Sequence, residues 1–117
     1  MNQVLDELNS LPGIAGSLVA TPDGIVVASR LRGSLDPDTA AALVSSLLAG
    51  AQSAVKQCGE GGMSRLVMVA TRGKVIVTDL GNAYLVVVTD RHIDLDQGLL
   101  EIESAAKTLR KLGQITV

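Results

Sequence analysis

The residue types that most often carry chemistry are scarce in this 117-residue chain, and none stands in the company that chemistry needs. His92, the single histidine, lies in an Asp90-Arg91-His92 segment. A general base must reach the proton it removes, and no nucleophile sits at a fixed spacing from His92, which is therefore read as a solvated loop residue. Cys58 is the single cysteine, so an internal disulfide is excluded. Its place on an apolar helical stripe predicts a buried structural thiol in a reducing compartment. One His and one Cys leave a zinc site to carboxylates, without a CxxC or HxxxH pair. A phosphate loop needs a glycine-rich turn ending in Gly-Lys-Ser/Thr ahead of a helix. Gly73-Lys74-Val75 falls inside a hairpin, and Gly59-Glu60-Gly61-Gly62 follows a helix and precedes a strand, the reverse of a phosphate-cradling order. Arg30, Arg32, Arg72 and Arg91 fall at loops or strand ends, where each can meet an acidic partner or, in trans, a transferring phosphate. No active site, metal or cofactor is expected.

Composition narrows the partners. Ten Lys+Arg against 12 Asp+Glu leave a net charge of -2. No run of like charge forms a polybasic membrane patch or a stripe that tracks phosphates. Phe and Trp are absent and Tyr84 is the only aromatic, which removes the stacking platforms of single-stranded nucleic-acid binders. Any protein interface must then work through aliphatic area and backbone pairing. The start, MNQVLDELNS, lacks the basic and apolar regions of a signal peptide, and no apolar run is long enough to span a bilayer. The expectation is a soluble, cytoplasmic protein with no membrane insertion and no nucleic acid partner. Residues 1–117 make one domain, of a size that buries roughly two thirds of the unfolded chain's surface.

The element that organises the chain is Thr39 to Val55, TAAALVSSLLAGAQSAV, a helix without a charge. At about 100° per residue, Ala40, Leu43, Val44, Leu47, Leu48, Ala51, Ala54, Val55 and Cys58 form a broad stripe expected to face a sheet. The other side carries Ala42, Ser45, Ser46, Ala49, Gln52 and Ser53, with Lys56 at the end. Small neutral side chains let another backbone approach, so this face is expected to meet protein. Asp36 is placed as the cap accepting from exposed N–H groups, with Pro37 at the first helical position.

Around this helix the pattern is regular. Val4, Leu5, Leu8 and Leu11 mark a short amphipathic helix, capped by Asn2 and stopped by Pro12-Gly13. Ile14 to Ala20 and Ile25 to Arg30 form a hairpin about Thr21-Pro22-Asp23-Gly24, which suits a type I turn. Arg65 to Thr71, Lys74 to Leu80 and Ala83 to Thr89 read as three strands joined by two-residue turns at Arg72-Gly73 and Gly81-Asn82. These strands are apolar on both faces and need cover on both, hence three layers. A last helix opens near Asp94, buries Leu95, Leu99, Ile102, Ala106 and Leu109, and ends at Gly113. Its outer side, with Glu101, Glu103, Lys107, Arg110 and Lys111, reads as a solvated face with a Glu103–Lys107 pair.

One strand lacks a defence. Arg65 to Thr71 is expected at an edge, and LVMVA carries no Pro, inward charge or bulge to block pairing with another chain. Pairing with its own copy brings the two charge-free helices together, so the expected dimer interface is Arg65, Leu66, Val67, Met68, Val69, Ala70 and Thr71 with Ala42 and Ala49. The expected partner-binding surface is Ser45, Ser46, Gln52, Ser53 and Lys56, with the loop arginines Arg30 and Arg32. The shortage of aromatic and convergent polar residues speaks against a ligand pocket.

The element order, with LPGIAGSLVATPDGIVVAS (Leu11 to Ser29) and RLVMVATRGKVIVTDLGNAYLVVV (Arg65 to Val88), resembles the Roadblock/dynein light chain family over nearly the whole chain. The second stretch is similar to the bacterial branch, which includes a gliding-motility polarity protein that acts as a GTPase-activating partner. The resemblance implies an α+β, three-layer fold: a five-stranded antiparallel sheet, the middle helix on one face and the two terminal helices on the other. It also implies homodimerisation through the third strand and middle helix. Family members bind and regulate Ras-like small GTPases, or serve as adaptors on motors and signalling scaffolds. The expected function is that of a homodimeric, non-enzymatic regulator of GTP hydrolysis by a Ras-like small GTPase, with a dimeric adaptor as the alternative.

Overall fold

A computed structural model describes residues 1–115, so the last two residues of the expected domain lie outside the described residues. The elements are α1 (Asn2–Asn9), β1 (Ile14–Ala20), β2 (Val26–Arg30), α2 (Pro37–Gln57), β3 (Arg65–Val69), β4 (Gly73–Asp79), β5 (Tyr84–Asp90) and α3 (Leu95–Ile115). Every strand pairing is antiparallel, in the order β2-β1-β5-β4-β3. The fold is α+β with three layers, as the alternation of apolar residues on both strand faces requires.

Lateral rows of the sheet assign its two faces. Leu18, Val86 and Val77 are neighbours across β1, β5 and β4, and they pack with Ala41 and Leu48 of α2. Val87 and Ile76, paired across β5 and β4, point the other way and pack with Leu5 and Leu8 of α1 and Ile102, Ala106 and Leu109 of α3. Each fully buried aliphatic side chain contributes about 1.5–3 kcal/mol, so two small cores on one sheet sustain the fold. Asn9 adds a polar stitch, its Nδ2 donating to the Arg30 carbonyl at 2.7 Å and its Oδ1 accepting from the buried Ser17 hydroxyl at 2.7 Å.

Local chemistry departs from expectation at several points. Asn2 does not cap α1, because the helix already includes it and Met1 takes the cap position without a side-chain bond. Asp36 occupies the cap position of α2, but its carboxylate accepts from the Thr39 hydroxyl at 2.8 Å and not from a backbone N–H. The β3–β4 turn is centred on Thr71-Arg72, since the Ala70 N–H donates to the Gly73 carbonyl at 2.8 Å. That shift leaves Ala70 and Thr71 outside β3 and draws Gly73 into β4. The Gly81-Asn82 turn stands as expected, with Gly81 at φ +100° and the Leu80 N–H donating to the Ala83 carbonyl at 2.9 Å. Gly113 does not end α3, which continues to Ile115. Cys58, expected to be buried, is exposed just past the end of α2.

The outer side of α3 is also more than a solvated face. Glu103 pairs with Arg65 at 2.7 Å and Arg110 at 3.1 Å in place of Lys107, and Arg110 donates to the Asp79 carbonyl at 2.8 Å. A long-range arginine on β3 outcompetes the local helical neighbour because the carboxylate leans over the sheet. Glu103→Gln should lower stability by about 1 kcal/mol, given the partial exposure of all three groups, read from the urea midpoint. Gly73→Ala should cost more, about 3 kcal/mol by the same measurement, because a Cβ there overlaps the carbonyl oxygen of Thr89.

Candidate interaction surface

The surface begins with the phase of α2. Ala41 and Leu48 are buried against the sheet, and Val44, Ser45, Ala51, Gln52 and Val55 are half-buried on the same side. Leu43 is 67% and Leu47 45% exposed. Both were expected on the sheet-facing stripe, and both face outward. A helix apolar nearly all round gives periodicity no contrast with which to fix its rotation, so the expected stripe was set too wide. The outward row Leu43, Leu47, Gly50 and Ala54 repeats at four, three and four residues, the spacing of a helix–helix seam. That repeat was present in the sequence but was hidden beneath the broader pattern.

The structure divides the expected partner-binding residues among different places. The Ser45 hydroxyl donates to the Pro22 carbonyl in the β1–β2 turn. Gln52 Nε2 donates to the Tyr84 hydroxyl at 3.0 Å. Both are thus engaged by the chain's own sheet, and they fix the helix along the end of the strands. Ser46, Ser53 and Lys56 are exposed, together with Ala42 and Ala49. Arg30 Nε pairs with Asp6 of α1 at 2.8 Å, and Arg32 Nη2 donates to the Asn9 carbonyl at 3.2 Å. These two arginines belong to the α1 side of the molecule and do not join the α2 face.

At the end of the sheet order, β3 is an edge. The Asp79 N–H donates to Ser64 and the Ala70 N–H to Gly73. Hydrogen-bonded pairs alternate along an antiparallel ladder, so Leu66 and Met68 bond to β4 while the N–H and C=O groups of Arg65, Val67 and Val69 face away from it. Leu66 and Met68 turn their side chains to the α2 layer; Val67 and Val69, 37% and 73% exposed, lie on the opposite face. The other edge is defended. A bulge between Val19 and Ala20 interrupts its register, and the Ser29 carbonyl accepts from the Arg30 side chain.

The remaining candidates do not converge on catalysis. His92 is exposed and lines a cleft of about 570 Å³ with Leu11, Ile14, Ile93 and the acids Asp90, Asp94 and Glu101. No serine, threonine or cysteine lines that cleft. Among the described residues, no three His, Cys, Asp or Glu side chains gather to hold a metal, and no helix is long and apolar enough to cross a membrane.

An open strand edge, on a sheet covered by one helix on one face and two on the other, is a candidate protein-binding feature, and a family model for the Roadblock/LC7 domain matches residues 1–89. The chain belongs to the Roadblock/LC7 family. The uncharacterised protein MJ1340 of Methanocaldococcus jannaschii is 32% identical over 112 residues, which are 96% of this chain and 98% of that one. Among solved structures, MglB in a tetrameric arrangement is 28% identical with a TM-score of 0.90, covering 98% of this chain and 88% of the other. Myxococcus xanthus MglB superposes with a TM-score of 0.91 at 22% identity, covering 97% and 94%.

Within this Roadblock/LC7 fold the Gln52–Tyr84 bond positions the helix that carries the surface. Tyr84→Phe should lower stability by about 1 kcal/mol and leave the circular dichroism spectrum unchanged, as checked by thermal melts.

Proposed function

We propose that this Roadblock/LC7 chain is a non-enzymatic homodimer that binds a Ras-like small GTPase and modulates its GTP hydrolysis. The observation that carries the reading is the undefended β3 edge, with three consecutive outward-facing peptide pairs at Arg65, Val67 and Val69, next to the charge-free outer face of α2. Such an edge recruits another strand, and a second copy satisfies it about a two-fold axis. Leu43, Leu47, Gly50 and Ala54 then supply apolar area at the same interface, where small residues allow close approach. Ala42 and Ala49 extend this seam, and Ser46, Ser53 and Lys56 border it as the platform offered to the GTPase. Similarity to MglB structures, one of them tetrameric, supports both the assembly and the class of partner.

The mechanism is positioning. Arg30 and Arg32 are held against α1, which leaves neither poised for insertion beside a transferring phosphate. A dimer that orders the switch segments of a GTPase places the GTPase's own groups for hydrolysis. Cell polarity or motility is the process that this reading favours.

The test is GTP turnover by the Ras-like GTPase encoded nearest to this protein, with and without the chain, alongside light scattering for complex formation. Faster turnover in a complex is the expected result. Binding that alters neither turnover nor exchange assigns an adaptor instead, and absence of binding in both nucleotide states removes that GTPase as the partner. The dimer has its own test. Val67→Pro removes an N–H that faces away from β4, so it should leave the ladder with β4 paired while shifting the chain to monomer in sedimentation. Leu47→Glu should do the same from the helix side, whereas Glu in place of the exposed Leu35 should leave the assembly unchanged.

A further inference from the structure

Two clefts on the α1–α3 side of the sheet meet end to end. One, of about 570 Å³, is lined by Ile93 and Gly98 and reaches Leu11 and Glu101. The other, of about 270 Å³, runs from Leu11 and Glu101 between Val4 of α1 and Thr108 of α3. Because they share Leu11 and Glu101, they form one trough. Its wall on α3 is Gln97, Gly98, Glu101, Ser104, Ala105 and Thr108, a spacing of three and four that keeps to one face of the helix over about 16 Å.

Small residues shape that wall. Gly13 has φ +90°, and a Cβ there would lie 3.0 Å from Ile93 Cβ, while one at Gly98 would lie 2.9 Å from Ile93 Cδ1. The two glycines thus let Ile93 tuck in between them. A glycine inside a helix weakens it, and the close seat of Ile93 offsets that cost. Ser104 and Ala105 continue the low wall, along which a second backbone has room to approach.

The charges along the trough have one sign. Glu7, Asp90, Asp94 and Glu101 line it, and no lysine or arginine does. Three of these acids are exposed and Glu101 is half-buried, so a partner can reach them. Among the described residues none of the four is in an ion pair. Their donors are uncharged: the His92 N–H for Asp90 at 2.9 Å, the Gln97 N–H for Asp94 at 3.3 Å and the Gln97 side chain for Glu101 at 3.1 Å. Arg91, the neighbour of two of these residues in sequence, directs its Nε to the His92 ring at 3.3 Å. In a chain whose net charge is only -2, four unpaired acids along one apolar trough concentrate negative potential there.

We propose that this trough docks a basic amphipathic helix of a partner protein, about three turns long. The apolar stripe of that helix lies on Val4, Leu11 and Ile93, and its lysines or arginines meet Glu7, Asp94 and Glu101, a helix-in-groove contact. The same potential turns away nucleic acid and anionic membrane surfaces. The trough lies across the sheet from α2, and the proposal stands independently of the GTPase reading.

Amide NMR of the full chain tests it, with a synthetic helical peptide as the probe. Leucine recurs in the peptide at every third and fourth position, and lysine fills the rest. The comparisons are the same peptide with glutamate for lysine, a rearranged one whose leucines share no face, and hexylamine. The expected result is a saturable shift of the Gly13, Gly98 and Ala105 amides with the lysine peptide alone. Glu7→Lys combined with Glu101→Lys should weaken that binding about tenfold, whereas Glu60→Lys, in the exposed segment after α2, should leave it unchanged. Should the double variant not fold, Glu7→Gln and Glu101→Gln singly should each weaken binding about twofold to threefold. Absence of a saturable shift, an equal response to the glutamate or rearranged peptide, shifts confined to the Leu43–Ala54 seam of α2, or unchanged affinity in the folded variants overturns the proposal. A response to hexylamine alone assigns a small-amine pocket and overturns it too.

Discussion

The burial of aliphatic side chains on both faces of β1, β5 and β4 is the constraint on which everything else depends. A sheet of this kind cannot leave either face to water, so α2 must lie on one and α1 with α3 on the other. Once those layers are in place, few options remain at the periphery. The strand at one end has its neighbour on one side only, and its side chains are only partly covered. The candidate interaction surface is thus a by-product of where cover runs out, and it owes little to any particular polar group.

That origin explains which features were legible in the sequence. Strand and helix identities were plain, because Val, Ile and Leu alternate through β4 and β5 and recur at helical spacing through α3. The edge position of β3 was legible too, since three strands joined by tight turns leave one of the outer two unpaired. Rotation of α2 was not legible. Leu43 and Leu47 read as core because a local pattern cannot tell a leucine that meets its own sheet from one left outside. The same blindness applied to Cys58, which carries on the apolar rhythm of α2 but lies one residue past its last turn.

Polar contacts between distant segments were the least legible of all. Nothing near Glu103 in the sequence points to Arg65, and the local Lys107 is the natural expectation for an exposed helix. Ser45 and Gln52 looked like a neutral outer face for a similar reason, since their bonds to Pro22 and Tyr84 depend on how the helix crosses the strand ends. Small polar side chains in an apolar helix have two fates, solvent or a nearby backbone, and composition does not separate them. The membership in the Roadblock/LC7 family agrees with the architecture, while the surface details belong to this chain's own packing.

The two edges of the sheet are treated unequally. β2 is interrupted by its bulge and its Ser29 carbonyl is occupied by the Arg30 side chain, whereas β3 carries neither defence. Self-pairing about a two-fold axis consumes both available edges at once, leaving the doubled sheet with a defended strand at either end. In the proposed dimer the extension of the sheet would stop at a closed pair, and a chain composed almost half of apolar residues would escape the open-ended polymerisation that a second bare edge would invite.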